Sequence, residues 1–149
     1  MIKIIRTDSE NPDFRDLVKL LDKELATVDG EDHLFYSQFN GIDKIHYVVM
    51  AYVNEIPAGC GAIKEYGPDS MEIKRMYVVP WNRKKGIASK VLSELENWTK
   101  ELLFTKCILE TGKRQPEAIG LYRKTGYRSI PNYGQYAGVE NSVCFEKVL

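Results

Sequence analysis

Between Ile45 and Leu102 the hydrophobic period of the chain changes once, and that change constrains the fold more than any other feature. Three strand-like runs come first: Ile45–Val53, Pro57–Tyr66 and Met71–Val79. Asn54-Glu55 and Gly67-Pro68-Asp69-Ser70 separate them, and both are turn chemistry, so the runs predict an antiparallel meander. From Gly86 the period becomes helical. Ile87, Val91, Leu95, Trp98 and Leu102 recur three or four residues apart, with Ala88 and Leu92 widening the face, a pattern for about 18 residues of amphipathic helix.

The flanking segments supply further elements. "IKIIR" reads as a short strand, and Asn11 is placed to cap a helix opened by Pro12. Phe14, Leu17, Val18, Leu20, Leu21 and Leu25 form its stripe, which ends near Gly30. A second short helix over His33–Phe39 precedes a turn at Asn40-Gly41. After the long helix come a strand at Lys106–Glu110 and a helix from Pro116 closed by Gly126, with a short extra strand near Tyr127. Ser142–Val148 is a last alternating strand. The order predicts one domain over residues 1–149, of α/β (α+β) type: a single mixed, mostly antiparallel sheet with helices on both faces.

Lys+Arg and Asp+Glu number 21 each, so the formal charge is zero, which argues against a general nucleic-acid binder. Cys60, Cys107 and Cys144 are odd in number, far apart and without a C-x-x-C pair. They predict buried thiols rather than a disulfide framework or a zinc site. His33 and His46 have no partner at ligand spacing, so no metal is expected. The first residues turn polar too soon for a signal peptide, and no apolar run approaches the ~18 residues of a membrane span. A cytoplasmic protein acting away from membranes is the expectation.

"RKKGIAS" lies where the third run ends at Val79-Pro80 and the helix begins. The first N–H groups of a helix lack internal partners and carry partial positive charge, so they form an anion site. Gly86 lets an anion approach, Ile87, Ala88 and Ser89 supply amides, and Arg83, Lys84 and Lys85 add charge. A diphosphate suits such a site. The P-loop pattern G-x-x-x-x-G-K-[ST] is absent, and so is G-x-G-x-x-G after the first strand, which argues against triphosphatase and dinucleotide folds.

"EIKRMYVVPWNRKKGIASKVLSELENW" resembles the acetyl-coenzyme A-binding segment of the GCN5-related N-acetyltransferases. "QPEAIGLYRKTGY" resembles the second half of that family's signature, N-x-x-A-x-x-L-Y-x-x-x-G-[FY]. The likeness runs from Met71 to Tyr127, and the element order extends it to nearly the whole chain. Two departures stand out: Ala88 replaces the usual final glycine of the loop, and Gln115 stands where asparagine is commoner.

The resemblance implies an enzyme that moves an acetyl group from acetyl-CoA, its co-substrate, to a primary amine without a metal. It implies that the Met71–Val79 strand splays from Lys106–Glu110, with pantetheine in the gap. Backbone groups of Met76, Tyr77 and Val78 would then meet the cofactor, Arg83 to Ser89 would hold its pyrophosphate, and Gln115 would lie beside it. Tyr122 takes the place of the family's general acid. Glu72 is the candidate base, because strand alternation puts Glu72, Lys74, Met76 and Val78 on one face. An ion pair with Lys74 or Arg75 is the competing role for Glu72, and Glu110 is the alternative base. The acidic loop Asp29-Gly30-Glu31-Asp32 reads as exposed turn, although the resemblance places it over the acceptor. Tyr133 and Tyr136 would line an acceptor pocket. A small-molecule or amino-acid-like amine is the expected partner, set against a peptide acceptor or a non-catalytic acyl-CoA-binding regulator. Edge pairing through the last strand would allow a homodimer.

Overall fold

The computed structural model describes residues 1–149 except Asn40 and Asp43, so Asn40 of the expected turn lies outside the described residues. The elements are β1 (Ile2–Thr7), α1 (Pro12–Asp29), α2 (His33–Ser37), β2 (Tyr47–Val53), β3 (Ile56–Tyr66), β4 (Ser70–Val78), α3 (Ile87–Glu101), β5 (Lys106–Gly112), α4 (Pro116–Lys124), β6 (Arg128–Ile130) and β7 (Ser142–Val148).

Local chemistry accounts for the boundaries. The Asn11 side chain accepts from the N–H groups of Asp13 and Phe14 at 2.9 and 3.1 Å, which satisfies two orphan donors of α1. Asn54 and Glu55, at φ 50° and 71°, form the left-handed pair that a two-residue hairpin needs between β2 and β3. β2 starts at Tyr47 rather than Ile45, because the Ile45 N–H bonds back to the Ile42 carbonyl in a turn (3.0 Å). α2 stops at Ser37, short of Phe39, and β5 continues past Glu110 to Gly112.

One seven-stranded sheet has the order β1-β2-β3-β4-β5-β7-β6. β1 to β4 pair antiparallel, as the meander requires. β4 and β5 run parallel and pair only from Ser70–Glu72 to Lys106–Ile108, and beyond that they part. β7 is hydrogen-bonded to β5 on one side and β6 on the other. The last strand is therefore interior over Cys144–Glu146, which leaves little of the edge through which a homodimer would be allowed.

Two apolar layers cover the sheet. Val91, Leu92 and Leu95 of α3 pack on Ile63, Met71 and Ile73, while Phe14, Leu17 and Leu21 of α1 pack on Val48, Met50 and Cys60. A smaller cluster joins Tyr36, Tyr136 and Cys144. Between Lys74 and Tyr77 the register on β3 slips by one, with Ala62 opposite Lys74 and Cys60 opposite Tyr77. Arg75 sits in this bulge at φ 57°. The extra residue reverses the alternation. Glu72 and Lys74 lie on the α1 face, whereas Met76 and Val78 pack with the α3 core. The single face expected for all four does not exist. Arg75 itself is buried and ion-paired with Asp22 of α1, which pins the bulge.

Candidate active site

A cleft of about 1080 Å³ opens where β4 and β5 part. It connects both faces of the sheet. Met76, Val78 and Tyr122 line it from the α3 side, and Glu72, Lys74 and Glu110 line it from the α1 side.

At the α3 end, Gly86 is the N-cap residue at φ 80°, and no side chain caps the helix. The Gly86 carbonyl accepts from the Lys90 N–H (3.1 Å), which leaves the N–H groups of Ile87, Ala88 and Ser89 without intrahelical acceptors. All three residues face the cleft with Lys84. The other two cations are placed differently. Lys85 reaches Asn82 Oδ1 at 3.2 Å. Arg83 donates to the Val78 carbonyl and to Glu24, each at 2.8 Å, and its guanidinium lies 5.6 Å from the Tyr77 ring. It braces β4 against α1, and its charge is largely answered by Glu24. Gln115 stands at the N-cap of α4 on the cleft wall, with its N–H on the Gly112 carbonyl (3.0 Å). Free helix amides, Lys84 and an unobstructed Gly86 fit a phosphate-bearing group.

The parted strands expose backbone. The Val79 N–H bonds to the Ala58 carbonyl on β3 (2.9 Å), so by alternation the Val78 N–H points the other way, into the gap left by β5. Arg83 bonds the Val78 carbonyl on that same side.

Tyr122 is buried and lines the cleft, its ring edge-on to Tyr127 at 5.7 Å. Its hydroxyl has no hydrogen-bond partner among the described residues. Burial, and then the charge of Glu110, push its pKa well above the usual phenol range, so it holds its proton at neutral pH. Glu110 is the most perturbed carboxyl of the site. Burial first, then Asp29 and Glu72, push it up to about 7, while the Ser142 hydroxyl and Lys74 oppose the rise. Its Oε2 is buried without a hydrogen-bond partner among the described residues.

Glu72 has company. Tyr133 Oη donates to its Oε2 at 2.6 Å, and Lys74 Nζ lies 3.7 Å from its Oε1. The ion-pair role anticipated for Glu72 is therefore present, and both of its oxygens have partners, whereas Glu110 Oε2 has none among the described residues. Tyr136 lines the cleft, whereas Tyr133 is hydrogen-bonded to Glu72 behind the wall. The acidic loop is not wholly exposed: Asp29 is 4% exposed and faces the cleft. Its position was readable, because Leu21, Leu25 and Asp29 recur every four residues along the inner stripe of α1. The rank of Glu110 was not, since the groups around it, Ser142, Asp29, Lys74 and Glu72, come from distant parts of the chain. Among the described residues no three His, Cys, Asp or Glu side chains are grouped to hold a metal.

Parted strands, an anion-ready helix start, a buried tyrosine and a buried carboxyl meet in one cleft, an arrangement suited to group transfer. The profile of the acetyltransferase (GNAT) family matches residues 12–127, and the chain belongs to that family and is an N-acetyltransferase. An IAA acetyltransferase of Azospirillum brasilense is 31% identical over 140 residues, covering 89% of this chain and 88% of the relative. A candidate acyl-CoA N-acyltransferase from Klebsiella pneumoniae superposes with a TM-score of 0.84 at 25% identity, over 100% of this chain and 98% of the other. The PaiA N-acetyltransferase of Thermoplasma acidophilum, in complex with coenzyme A, gives 0.73 at 17% identity over 100% and 99%, a likeness of fold.

Proposed function

We propose that residues 1–149 act as one N-acetyltransferase domain that moves an acetyl group from acetyl-CoA to a primary amine of a small molecule by direct transfer. The observation that carries this reading is the continuous cleft from Gly86 to Glu110 through the parted strands. The fold neighbour from Thermoplasma was crystallised with coenzyme A, which supports the choice of co-substrate. When bound, acetyl-CoA supplies a thioester carbonyl as the electrophile.

The chain's own residues supply the rest. Lys84 and the amides of Ile87 to Ser89 hold phosphate, and the Val78 N–H is a donor for a carbonyl oxygen in the gap. The incoming ammonium gives one proton to Glu110, which passes it to solvent. The nitrogen lone pair forms the N–C bond as the C–S bond breaks, its electron pair remaining on sulfur. Tyr122 protonates that sulfur, and the nitrogen's surplus proton returns to the Tyr122 oxygen. Positioning the two reactants contributes up to ~7–11 kcal/mol.

Direct transfer fits the cysteines. All three are free and buried, and burial pushes Cys60 up to about 12 and Cys107 and Cys144 up to about 11, so none offers a thiolate for an acyl-enzyme. Free thiols also suit a reducing, cytoplasmic setting. No described helix is long and apolar enough to cross a membrane.

The test is calorimetric titration of acetyl-CoA into the protein, followed by thiol release with a panel of small amines and peptide N-termini. Saturable binding and release with small amines are expected. Release that follows only the peptides would replace the small-molecule acceptor with a protein one.

A further inference from the structure

The α1 side of the cleft has an unbalanced set of charges. Four cations line the cleft on or beside that side, and each already faces a carboxylate. Lys74 pairs with Glu72 (3.7 Å), Arg75 with Asp22, Arg83 with Glu24 (2.8 Å) and Arg114 with Asp32 (3.3 Å). None of these four is left over for a carboxylate on an incoming molecule; the cleft's other lysines, Lys84 and Lys124, stand at the start of α3 and the end of α4.

Two carboxyls of the same chamber have no ion-pair partner among the described residues: Glu110 and Asp29. Asp29 is 4% exposed, lines the cleft, and its side chain accepts no hydrogen bond from the described residues. Arg114 Nη1 bonds the Asp29 backbone carbonyl at 2.8 Å and not its carboxyl, and His33, the other basic group beside Asp29, makes no hydrogen bond to it. Glu110 Oε2 is buried with no donor among the described residues, which is costly unless a ligand supplies one. The two carboxyls also repel each other, which raises the proton affinity of Glu110. The aromatic wall beside them has no free donor in Tyr36, whose hydroxyl is shared with Ser142 (2.8 Å) and Asn141 (3.3 Å).

We propose that the acceptor is a compact diamine without a carboxylate, its second protonated nitrogen held by Asp29 while the reacting nitrogen faces Glu110. This inference rests on the N-acetyltransferase reading and names its substrate class. The distal ammonium donates to the Asp29 carboxyl and takes no part in bond making. It fixes the reach of the chain between the two nitrogens and orients the near one. An α-amino acid is disfavoured, because its carboxylate would meet Asp29 and Glu110 while Lys74, Arg75, Arg83 and Arg114 are already paired.

Three probes of equal length separate the possibilities: putrescine with two amines, butylamine with one, and γ-aminobutyrate with one amine and one carboxylate. Thiol release is followed at fixed, saturating acetyl-CoA with the full chain. The expected order of kcat/KM is putrescine first, about tenfold or more above butylamine, and γ-aminobutyrate last. Asp29→Asn should collapse the putrescine-to-butylamine ratio toward one, with the acetyl-CoA affinity and thermal midpoint of the variant measured alongside. Equal or better turnover of butylamine or γ-aminobutyrate would overturn the diamine, and so would no turnover of putrescine. These comparisons use the wild-type chain, so they decide the matter even if Asp29→Asn folds poorly. Loss of acetyl-CoA binding itself would instead sink the underlying reading of the cleft.

Discussion

The roles proposed for Glu110 and Tyr122 depend on neighbours brought from other parts of the chain. Glu110 must be ionised to take a proton, so kcat/KM should rise with pH along a limb centred near its pKa of about 7. Glu110→Gln should remove that limb and lower kcat by about 10²–10⁴-fold. The same shift predicts a stability effect of opposite slope. The folded carboxyl keeps its proton to higher pH than the unfolded one, so the native state binds the extra proton between about 4.5 and 7. Stability therefore falls as pH rises through that window, and Glu110→Gln should flatten the fall in thermal melts. Tyr122→Phe should lower kcat by about 10²-fold or more while calorimetry finds acetyl-CoA affinity nearly unchanged. At this scale the sequence was uneven evidence. Tyr122 lies in a motif whose spacing names it, but Glu110 and Glu72 are both glutamates on strands. What ranks them is a Tyr133 hydroxyl and a Lys74 ammonium on one and an unpartnered Oε2 on the other.

The elements were more legible than the residues, because period, caps and turn chemistry act within a few positions. β7 falls on Ser142–Val148 as its alternation predicts, and Asn11 and Pro12 start α1 where expected. The bulge at Arg75 left no such trace, since a strand with one extra residue has the same local composition as one without it. Glycines at this scale make contrasting predictions. A Cβ at Gly86 would meet nothing within 4 Å, so Gly86→Ala should cost about 1–2 kcal/mol from its φ of 80° alone. Gly86→Glu places a like charge before the phosphate site and should abolish acetyl-CoA binding in the same titration. Gly61 is different, because a Cβ there would lie 2.5 Å from Met76 Sδ and 2.9 Å from Val91 and Leu95 carbons. Gly61→Ala should overpack the α3 layer, lowering stability by about 1–3 kcal/mol in denaturant unfolding.

At the scale of the whole molecule the sheet is interrupted beside its middle strand, and hydrogen-bonding groups of β4 face the gap instead of β5. Ligand that fills the gap binds only the folded chain. At acetyl-CoA about 100-fold above its Kd the gain is about 2.7 kcal/mol, and the thermal midpoint should rise by about 5–10 °C. The element order foretold a mixed sheet, but the placement of β7 between β5 and β6 depends on contacts far apart in the chain, which no local pattern records. The bulge acts at this scale too. A strand is read in steps of two, and Arg75 is an inserted letter that shifts the reading frame. Upstream, the even-numbered side chains from Glu72 to Lys74 face the α1 side of the cleft; downstream, the even-numbered Met76 and Val78 face the α3 side. Substitution along β4 alters one word at a time. Deleting or adding a single residue there would exchange the contents of two compartments at once.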